Sequence, residues 1–234
     1  MSQQILLGTG MYSFPRASQL TGVSAQNLRR WALGRPSPIG STSHEPIVQL
    51  DLPDVDDERA LSFLNLIELK LIGEFRRLGL PLQYIRQVVD VLRESYDFAH
   101  PLACKRLLTD GKSIFADIDE MGEFACIEIA GKRPNHLVID EVVRPFFMDI
   151  EFYQETNLAR RWFPEGPGAG IVIDPSVSFG EPVLMGSGLQ TALLASLSMA
   201  GDSAKSIADW YEVTPQEVER AVMFEHRLVR RAAA

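Results

Sequence analysis

The sequence has few of the residues from which catalytic and metal sites are usually built. It holds two cysteines and four histidines in 234 residues. Cys104 and Cys126 do not form a CxxC pair, and no histidine completes a metal-ligand set with them. No Ser/His/Asp arrangement and no phosphate-binding loop occurs either. We therefore expect two buried thiols, no catalytic residue, no metal and no cofactor, as in a protein that is not an enzyme.

Long hydrophobic runs are also absent. No apolar stretch approaches the roughly 20 residues that a membrane-spanning helix needs, and residues 1–10 lack the features of a secretory signal. The hydrophobic content of 46% is nevertheless ordinary for a folded chain. We expect a folded cytoplasmic protein without membrane contact, built from one large domain or two small ones.

Acidic residues are missing from the first 44 positions, although the whole chain has a net charge of −8. That segment carries four arginines, whereas the other 190 residues hold 19 basic and 31 acidic side chains, a net charge of −12. A basic head on an acidic body is typical of a local contact with DNA combined with a different partner elsewhere. The alternative is chance variation within a short window.

Two short helices separated by a tight turn are predicted in this basic head. Residues 14–21 read as a helix with Ser13 as its N-cap, and residues 25–33 as a second helix capped by Ser24. Gly22 between them supplies the left-handed conformation of a sharp turn. The spacing predicts a helix-turn-helix.

The second of these helices has an outward face suited to a DNA groove. Leu28, Trp31 and Ala32 share the inner face, which leaves polar residues outside. Arginine pairs with guanine and phosphate, and asparagine or glutamine with adenine. The predicted DNA-binding residues are Ser24, Gln26, Asn27, Arg29, Arg30 and Arg35. The alternative is an ordinary helical hairpin with a solvated polar face.

The next segment is typical of a wing followed by helices. Residues 35–44 are rich in turn formers, and residues 46–50 are predicted as a short strand. The carboxylates at 54–58 indicate a solvated helix start rather than a metal site. Apolar residues at three- and four-residue steps predict helices over 58–78 and 83–93.

Two stretches of the amino-terminal half stand out, from Tyr12 to Trp31 and the run Leu-Gly-Leu-Pro-Leu-Gln-Tyr-Ile at 78–85. Through them residues 11 to 95 resemble the DNA-binding region of MerR-type regulators. It implies a winged helix-turn-helix in which residues 24–33 enter the major groove and the wing reaches the backbone. The chain departs from that family after Leu92, where no heptad pattern for a dimerisation coiled coil follows.

The middle of the chain is predicted to be a small α+β region. Short apolar runs at 113–118, 123–130 and 136–140 predict a small antiparallel sheet, and residues 141–153 a helix. The glycine- and proline-rich stretch 164–170 is the best linker candidate. The predicted division is 1–98, 99–163, the linker 164–170, and 171–234.

The carboxy-terminal segment is predicted to contain a strand at 171–174 and helices at 191–200, 204–211 and 216–230. Its distinctive residues are Ile173-Asp174-Pro175, Gly180-Glu181-Pro182-Val183, Gly186, Ala200-Gly201-Asp202-Ser203, Ile207-Ala208, Tyr211 and Thr214-Pro215-Gln216-Glu217-Val218. In these residues the segment is similar to a helix-turn-helix family, first catalogued as a domain of unknown function, found in antitoxins encoded beside PIN-domain ribonucleases. The likeness covers residues 171–228. One departure is Gly186-Ser187-Gly188, where that family usually has Gly-Thr-Arg.

The last helix offers both apolar and basic side chains to a partner. A PIN-domain nuclease has an acidic site that arginines could enter. The alternative is that this helix packs on its own domain with a solvated basic end. The predicted partner-binding residues are Arg220, Phe224, Arg227, Leu228, Arg230 and Arg231.

Together the patterns predict a mainly α fold with a small β component. It would comprise an amino-terminal winged helix-turn-helix, a small middle β-sheet and a carboxy-terminal helix-turn-helix-like domain. The two resemblances imply a VapB-like antitoxin that represses its own promoter, neutralises a PIN-domain (VapC-like) ribonuclease toxin and forms a homodimer on operator DNA. The alternative is a stand-alone MerR-like regulator whose residues 100–160 bind a small effector.

Overall fold

The computed structural model describes residues 9–34, 45–54, 59–96, 99–107 and 138–233. These residues are mainly helical and carry two small two-stranded antiparallel sheets, which confirms the predicted fold class. None of the helices in the described ranges is both long and apolar enough to cross a membrane. Within these ranges the α-helices of at least five residues are α1 Phe14–Thr21, α2 Ala25–Leu33, α3 Phe63–Arg77, α4 Leu82–Tyr96, α5 Arg144–Met148, α6 Thr191–Met199, α7 Ala204–Tyr211 and α8 Pro215–Ala233.

The long helix α3 begins five residues later than its hydrophobic period indicates. Ser62 and Asn65 form a reciprocal capping box, which satisfies the first backbone donors of the helix. Leu61, just before the cap, is extended and exchanges two backbone hydrogen bonds of 2.9 Å with Tyr12. Pairing with Tyr12 therefore keeps residues 59–61 out of the helix.

The strand predicted at 46–50 is wrong. No strand occurs among the described residues 45–54, and the neighbours Ile47 and Val48 are both buried. A strand with one solvated face would bury alternate residues instead. The Ile47 N–H donates to the carbonyl of Trp31 at 2.7 Å, which ties this segment to the end of α2. The rest of the predicted wing, 35–44, lies outside the described residues.

In the described part of the middle region, a sheet is formed by residues that were not predicted as strands. Strands β1 (Ile150–Phe152) and β2 (Ala159–Trp162) pair antiparallel, with Glu151 opposite Arg161. The helix predicted over 141–153 is therefore wrong at its end, because α5 stops at Met148 and β1 follows. The strand predicted at 136–140 is wrong at 138–140, which open a π-helical turn. The runs at 113–118 and 123–130 lie outside the described residues.

The carboxy-terminal helices α6, α7 and α8 agree with their predicted positions to within a few residues. They follow a second sheet of β3 (Ile171–Val172) and β4 (Val183–Leu184). Residues 164–170 form a loop between β2 and β3, and the backbones of Trp162 and Ile173 on its two sides exchange hydrogen bonds of 2.9 and 2.8 Å. One buried hydrophobic cluster includes side chains from α1 through α8.

Candidate nucleic-acid interface

The helices α1 and α2 are joined by the tight turn that the sequence predicts. The Ser13 hydroxyl accepts the Arg16 N–H at 3.3 Å, and the Ser24 hydroxyl accepts the Asn27 N–H at 3.3 Å. Gly22 ends α1 with a φ of 73°, a conformation that a side chain would strain. These contacts confirm the predicted caps and the predicted turn.

Two residues of α3 that were not predicted from the sequence hold this helix pair in place. Gly73 has no side chain, and a methyl group there would overlap Val23 of the turn. Lys70 donates from its Nζ to the carbonyl of Thr21 at 3.1 Å, at the end of α1. The sequence signal for this contact was a glycine inside an otherwise strong helical pattern. Such a glycine destabilises a helix by about 1 kcal/mol and therefore indicates close packing.

The structure places the polar face of α2 as predicted. Leu28, Trp31 and Ala32 are buried, while Gln26, Arg29 and Arg30 are exposed and Asn27 is half-buried.

The outward side chains of α2 are also oriented by their neighbours. The Arg30 Nη2 donates to the Asn27 Oδ1 at 2.9 Å, and the Arg29 guanidinium lies 5.1 Å from the centre of the Phe14 ring. Packing and hydrogen bonding therefore restrict these two arginines before any ligand binds. Ser24 is exposed at the start of the helix, whereas Arg35 lies outside the described residues.

Arg16 does not contribute to an open basic surface, which corrects the simple count of amino-terminal charge. Its guanidinium is paired with Glu181 at 2.7 Å and with Glu225 at 3.5 Å. Burial alone would lower the pKa of Arg16, but the hydrogen bond and charge of Glu181 raise it above its ordinary value. The exposed positive charge on the described part of this segment is thus that of Arg29 and Arg30.

The predicted partner-binding residues of α8 divide into two groups. Phe224 and Leu228 are only 2% and 1% exposed and belong to the protein's own core. Arg220 donates to the carbonyl of Ala169 at 3.0 Å. The remaining arginines, namely Arg227, Arg230 and Arg231, are exposed, and Arg227 forms an ion pair with Glu165.

An acid–histidine network that was not predicted from the sequence joins the buried His100 and Glu68 to Asp51, which lines a cavity. His100 contacts Glu68 through Nδ1 at 3.0 Å and Asp51 through Nε2 at 3.3 Å. Burial would lower the pKa of His100, but hydrogen bonds to Asp51 and Glu68 raise it to about 9. Glu68 was detectable in the sequence, because it interrupts the apolar face of α3.

The cavity has a volume of about 370 Å³ and lies between the start of α3 and the β1–β2 turn. Its lining includes Asp51, Phe63, Tyr153, Glu155 and Leu158. The lining is thus largely apolar with two carboxylates. Such a mixture fits a small organic ligand, because apolar walls bury its body and a few polar groups orient it.

Two comparisons place the chain beside known proteins over nearly its whole length. It is 28% identical over 221 residues to the protein named "Putative antitoxin VapB45" of Mycobacterium tuberculosis, covering 91% of this chain and 92% of that protein. It is 23% identical over 245 residues to "Uncharacterized protein Rv2308" of the same organism, covering 100% and 98%. The crystal structure of Rv2018 from Mycobacterium tuberculosis matches with a TM-score of 0.66 and 28% identity, covering 92% of this chain and 98% of that one.

The third comparison concerns the carboxy-terminal segment alone. A family profile described as a protein of unknown function, DUF433, matches residues 171–224. The match coincides with the segment in which the sequence shows its second resemblance. The chain is therefore similar to a protein named as an antitoxin along its length, and to this family from β3 to the middle of α8.

Proposed function

We propose that the protein is the antitoxin of a type II toxin–antitoxin pair, which neutralises a PIN-domain (VapC-like) ribonuclease and represses its own promoter by binding DNA. The carrying observation is the oriented polar face of α2, formed by Gln26, Asn27, Arg29 and Arg30. The similarity to a protein named as an antitoxin, over 91% of the chain, supports the same proposal. In this role the protein acts by binding in the cytoplasm, without catalytic residue, metal or cofactor.

In the proposed complex, α2 lies in the major groove. Arg29 and Arg30 then meet guanine edges or phosphates, and Gln26 and Asn27 meet adenine. The first turn of α2 carries no acidic residue, so Ser24 and the backbone donors beside it can face a phosphate. Arg35, which follows α2 in the sequence, adds a further contact to the backbone. A homodimer would read two half-sites.

The toxin contact is proposed for the exposed basic end of α8. Arg230 and Arg231 lie in the last turn, where positive charge suits the acidic catalytic site of a PIN-domain nuclease. Arg227 can join them, because its ion pair with Glu165 is exposed and so contributes little stability. Phe224 and Leu228 would act indirectly, by holding α8 in the core.

The first test measures DNA affinity by fluorescence anisotropy on the DNA upstream of the gene. We expect Arg29→Ala with Arg30→Ala to weaken binding at least tenfold. The slope of affinity against salt should fall by about 0.9 for each phosphate that the variant no longer neutralises. Lys105→Ala with Lys205→Ala is the matched control, because it removes two exposed charges away from α2. Equal affinities for the two double variants would overturn the DNA-binding proposal.

The second test is co-purification with the product of the neighbouring gene, expected to be a short PIN-domain protein. Arg230→Ala with Arg231→Ala should weaken that complex while the far-ultraviolet circular dichroism of the variant stays unchanged. Point substitutions are preferable to deletion of 214–234, which would remove Phe224 and Leu228 from the core. A complex of unchanged affinity would exclude these arginines from the toxin contact.

The cavity lined by Asp51 favours a second candidate, a stand-alone regulator that responds to a small effector. Tyr153, Glu155 and Leu158 of the middle region line it. This candidate predicts DNA binding without a protein partner, and a thermal-stability increase with a small ligand that Leu158→Trp abolishes by filling the cavity. Recovery of a stable complex with a PIN-domain protein would instead favour the antitoxin.

A further inference from the structure

The cavity between the start of α3 and the β1–β2 turn has acidic groups in its lining but no basic ones. Asp51 and Glu155 are the carboxylates among the described residues that line it, and none of those residues is lysine, arginine or histidine. Lys105 and Arg160 line an adjoining groove instead, and both are exposed to water, which screens their charge. The charge around the cavity therefore favours a cation over an anion.

His100 reduces this negative charge without cancelling it. Its pKa of about 9 gives it a proton at neutral pH, and it contacts both Asp51 and Glu68. Within the described ranges Glu155 has no ion-pair partner of its own. One cation cannot neutralise three carboxylates, so a net negative charge remains beside the cavity.

Asp51 is held in a defined orientation. Its Oδ2 lies 3.3 Å from the Nε2 of His100, and its carboxylate also accepts a hydrogen bond from the Ser62 hydroxyl. Burial would raise the pKa of Asp51, but these two hydrogen bonds lower it, so the carboxylate stays ionised. Its side chain is 32% exposed, which leaves it within reach of a ligand but partly withdrawn from water. Asp51 can therefore bind a cation with little reordering.

The rest of the lining suits the apolar part of a ligand. Phe63 and Leu158 contribute hydrocarbon surface. The turn that carries Glu155 is fixed, because the Tyr153 N–H donates to the Leu158 carbonyl at 2.9 Å and the Asn157 N–H donates to the Tyr153 carbonyl at 3.0 Å. The volume of about 370 Å³ lies near the lower end of the range of roughly 300–1,000 Å³ found for small-molecule sites. A compact ligand therefore fits this cavity.

We propose that the cavity binds a small organic amine, with the ammonium group on Asp51 and the apolar body against Phe63 and Leu158. Glu155 strengthens the attraction as a second carboxylate. A metal ion is a poorer occupant, because it would gain nothing from apolar walls. In addition, no group of three metal-binding side chains occurs in the part of the chain that the structure describes. An organic anion of the same shape would meet a net negative charge.

The cavity adjoins the helix that supports the proposed DNA contact. Ser62, which donates to Asp51, is the N-cap of α3, and Lys70 of α3 donates to the end of α1. A bound amine is thus placed to influence how α1 and α2 are held. That regulatory role rests on the proposed function and gives its second candidate a ligand class. Binding of the amine itself requires neither DNA nor toxin.

Three probes with one phenyl ring and a short chain separate charge from shape. At neutral pH phenethylamine is a cation, 2-phenylethanol is neutral and 3-phenylpropionate is an anion. Ligand-observed NMR titration of the full chain should give the amine an affinity at least tenfold higher than that of the alcohol, with the acid weakest. An amine that does not bind, or that binds no more tightly than the alcohol, would overturn the proposal.

Variants of the two carboxylates locate the bound cation. Asp51→Asn keeps the shape of the side chain and should lower the amine affinity at least tenfold, with the alcohol affinity unchanged. Glu155→Gln, at an exposed turn, should lower it about threefold and stays informative if the loss of the His100 contact unfolds the first variant. Glu219→Gln is the matched control, because it removes an exposed carboxylate of α8 outside the lining.

Wild-type amine affinity in both carboxylate variants would place the amine elsewhere and overturn the proposal. An equal loss in the Glu219→Gln control would do the same, because it would reduce the effect to net charge. Loss of DNA binding by Arg29→Ala with Arg30→Ala leaves the amine titration untouched, so this inference and the proposed function can fail separately.

Discussion

The guanidinium of Arg16 lies 2.7 Å from the carboxylate of Glu181, 165 positions further along the chain. Arg16 also lies 3.5 Å from Glu225 of α8, whose carboxylate accepts a hydrogen bond from Thr191 of α6 at 2.5 Å. These contacts join α1 to the β3–β4 connection and to two carboxy-terminal helices. The basic amino-terminal segment is thus held against the acidic body by charge pairs as well as by packing.

Replacement of Arg16 by methionine should destabilise the fold. Glu225 is buried, and removal of the cation would leave its charge with Thr191 as the hydrogen-bond partner. We expect the free energy of unfolding to fall by about 2 kcal/mol, since these side chains are partly but not fully withdrawn from water. Urea denaturation measures the change. A double-mutant cycle with Glu181→Met should show coupling, and strictly additive losses would contradict a direct interaction.

Replacement of Gly180 by alanine should be far more damaging than replacement of Gly168. Gly180 has a φ of 84°, and an added methyl group would overlap the Tyr12 hydroxyl, which donates to the Gly180 carbonyl at 2.8 Å. Burial raises the pKa of Tyr12, so its hydroxyl stays a neutral donor. At Gly168 a methyl group meets no atom within 4 Å. We expect a loss of about 3 kcal/mol for the first variant and about zero for the second, by thermal or urea denaturation.

Equal stability of those two variants would show that the Tyr12–Gly180 contact does not constrain this loop. Tyr12→Phe separates the loss of the hydrogen bond from the steric overlap. It removes the hydrogen bond without adding bulk at Gly180, so we expect the free energy of unfolding to fall by about 1 kcal/mol.

Replacement of Gly73 by alanine should affect DNA binding more than stability. The methyl group would displace Val23 and with it the turn that sets α2 relative to α1. A helix gains about 1 kcal/mol from glycine to alanine, which offsets part of the packing cost. We expect at least a fivefold loss of DNA affinity by anisotropy. Adding Val23→Ala should restore most of it, and a double variant as weak as the single one would argue against this contact.

The His100 network should make stability depend on pH. The pKa of His100 is raised to about 9 in the folded protein, so the folded state holds a proton that the unfolded state releases above its ordinary value of 6.5. The stabilisation is complete below about pH 6.5 and is lost as the pH rises through about 9, with a magnitude of about 3 kcal/mol. Lys70 acts in the opposite direction, because burial lowers its pKa to about 8.

His100→Gln isolates this effect from that of Lys70. The stability difference between wild type and variant should shrink between pH 6.5 and 9, as followed by urea denaturation at each pH. A difference that stays constant across this window would mean that His100 binds its proton no more tightly in the folded state.

The helical elements around the proposed interface could be predicted from local pattern. Ser13 and Ser24 are caps, Gly22 is a helix end, and Leu28, Trp31 and Ala32 form a buried stripe; each of these features depends on neighbours within four residues. The three carboxy-terminal helices were predictable for the same reason. The capping box of Ser62 and Asn65 could also have been recognised from the sequence, but the apolar period indicated an earlier start of the helix.

The strands were harder to predict because a short strand depends on a pairing partner outside its own segment. Residues 46–50 have the composition of a strand, yet Ile47 bonds to the end of α2 and both it and Val48 enter the core. Residues 150–152 look helical in sequence and form β1 because Ala159–Trp162 pairs with them. Short segments of this kind take their conformation from the pairing partner more than from propensity.

Local spacing along each helix was sufficient to define the helices, their caps and the outward chemistry of α2. Which charges remain exposed depends instead on contacts made in the folded chain. Arg16 and Arg29 both belong to the basic amino-terminal segment. Folding places Glu181 and Glu225 against Arg16 and leaves Arg29 at the surface. Contacts between residues far apart in the chain set these outcomes, and no local pattern encodes them.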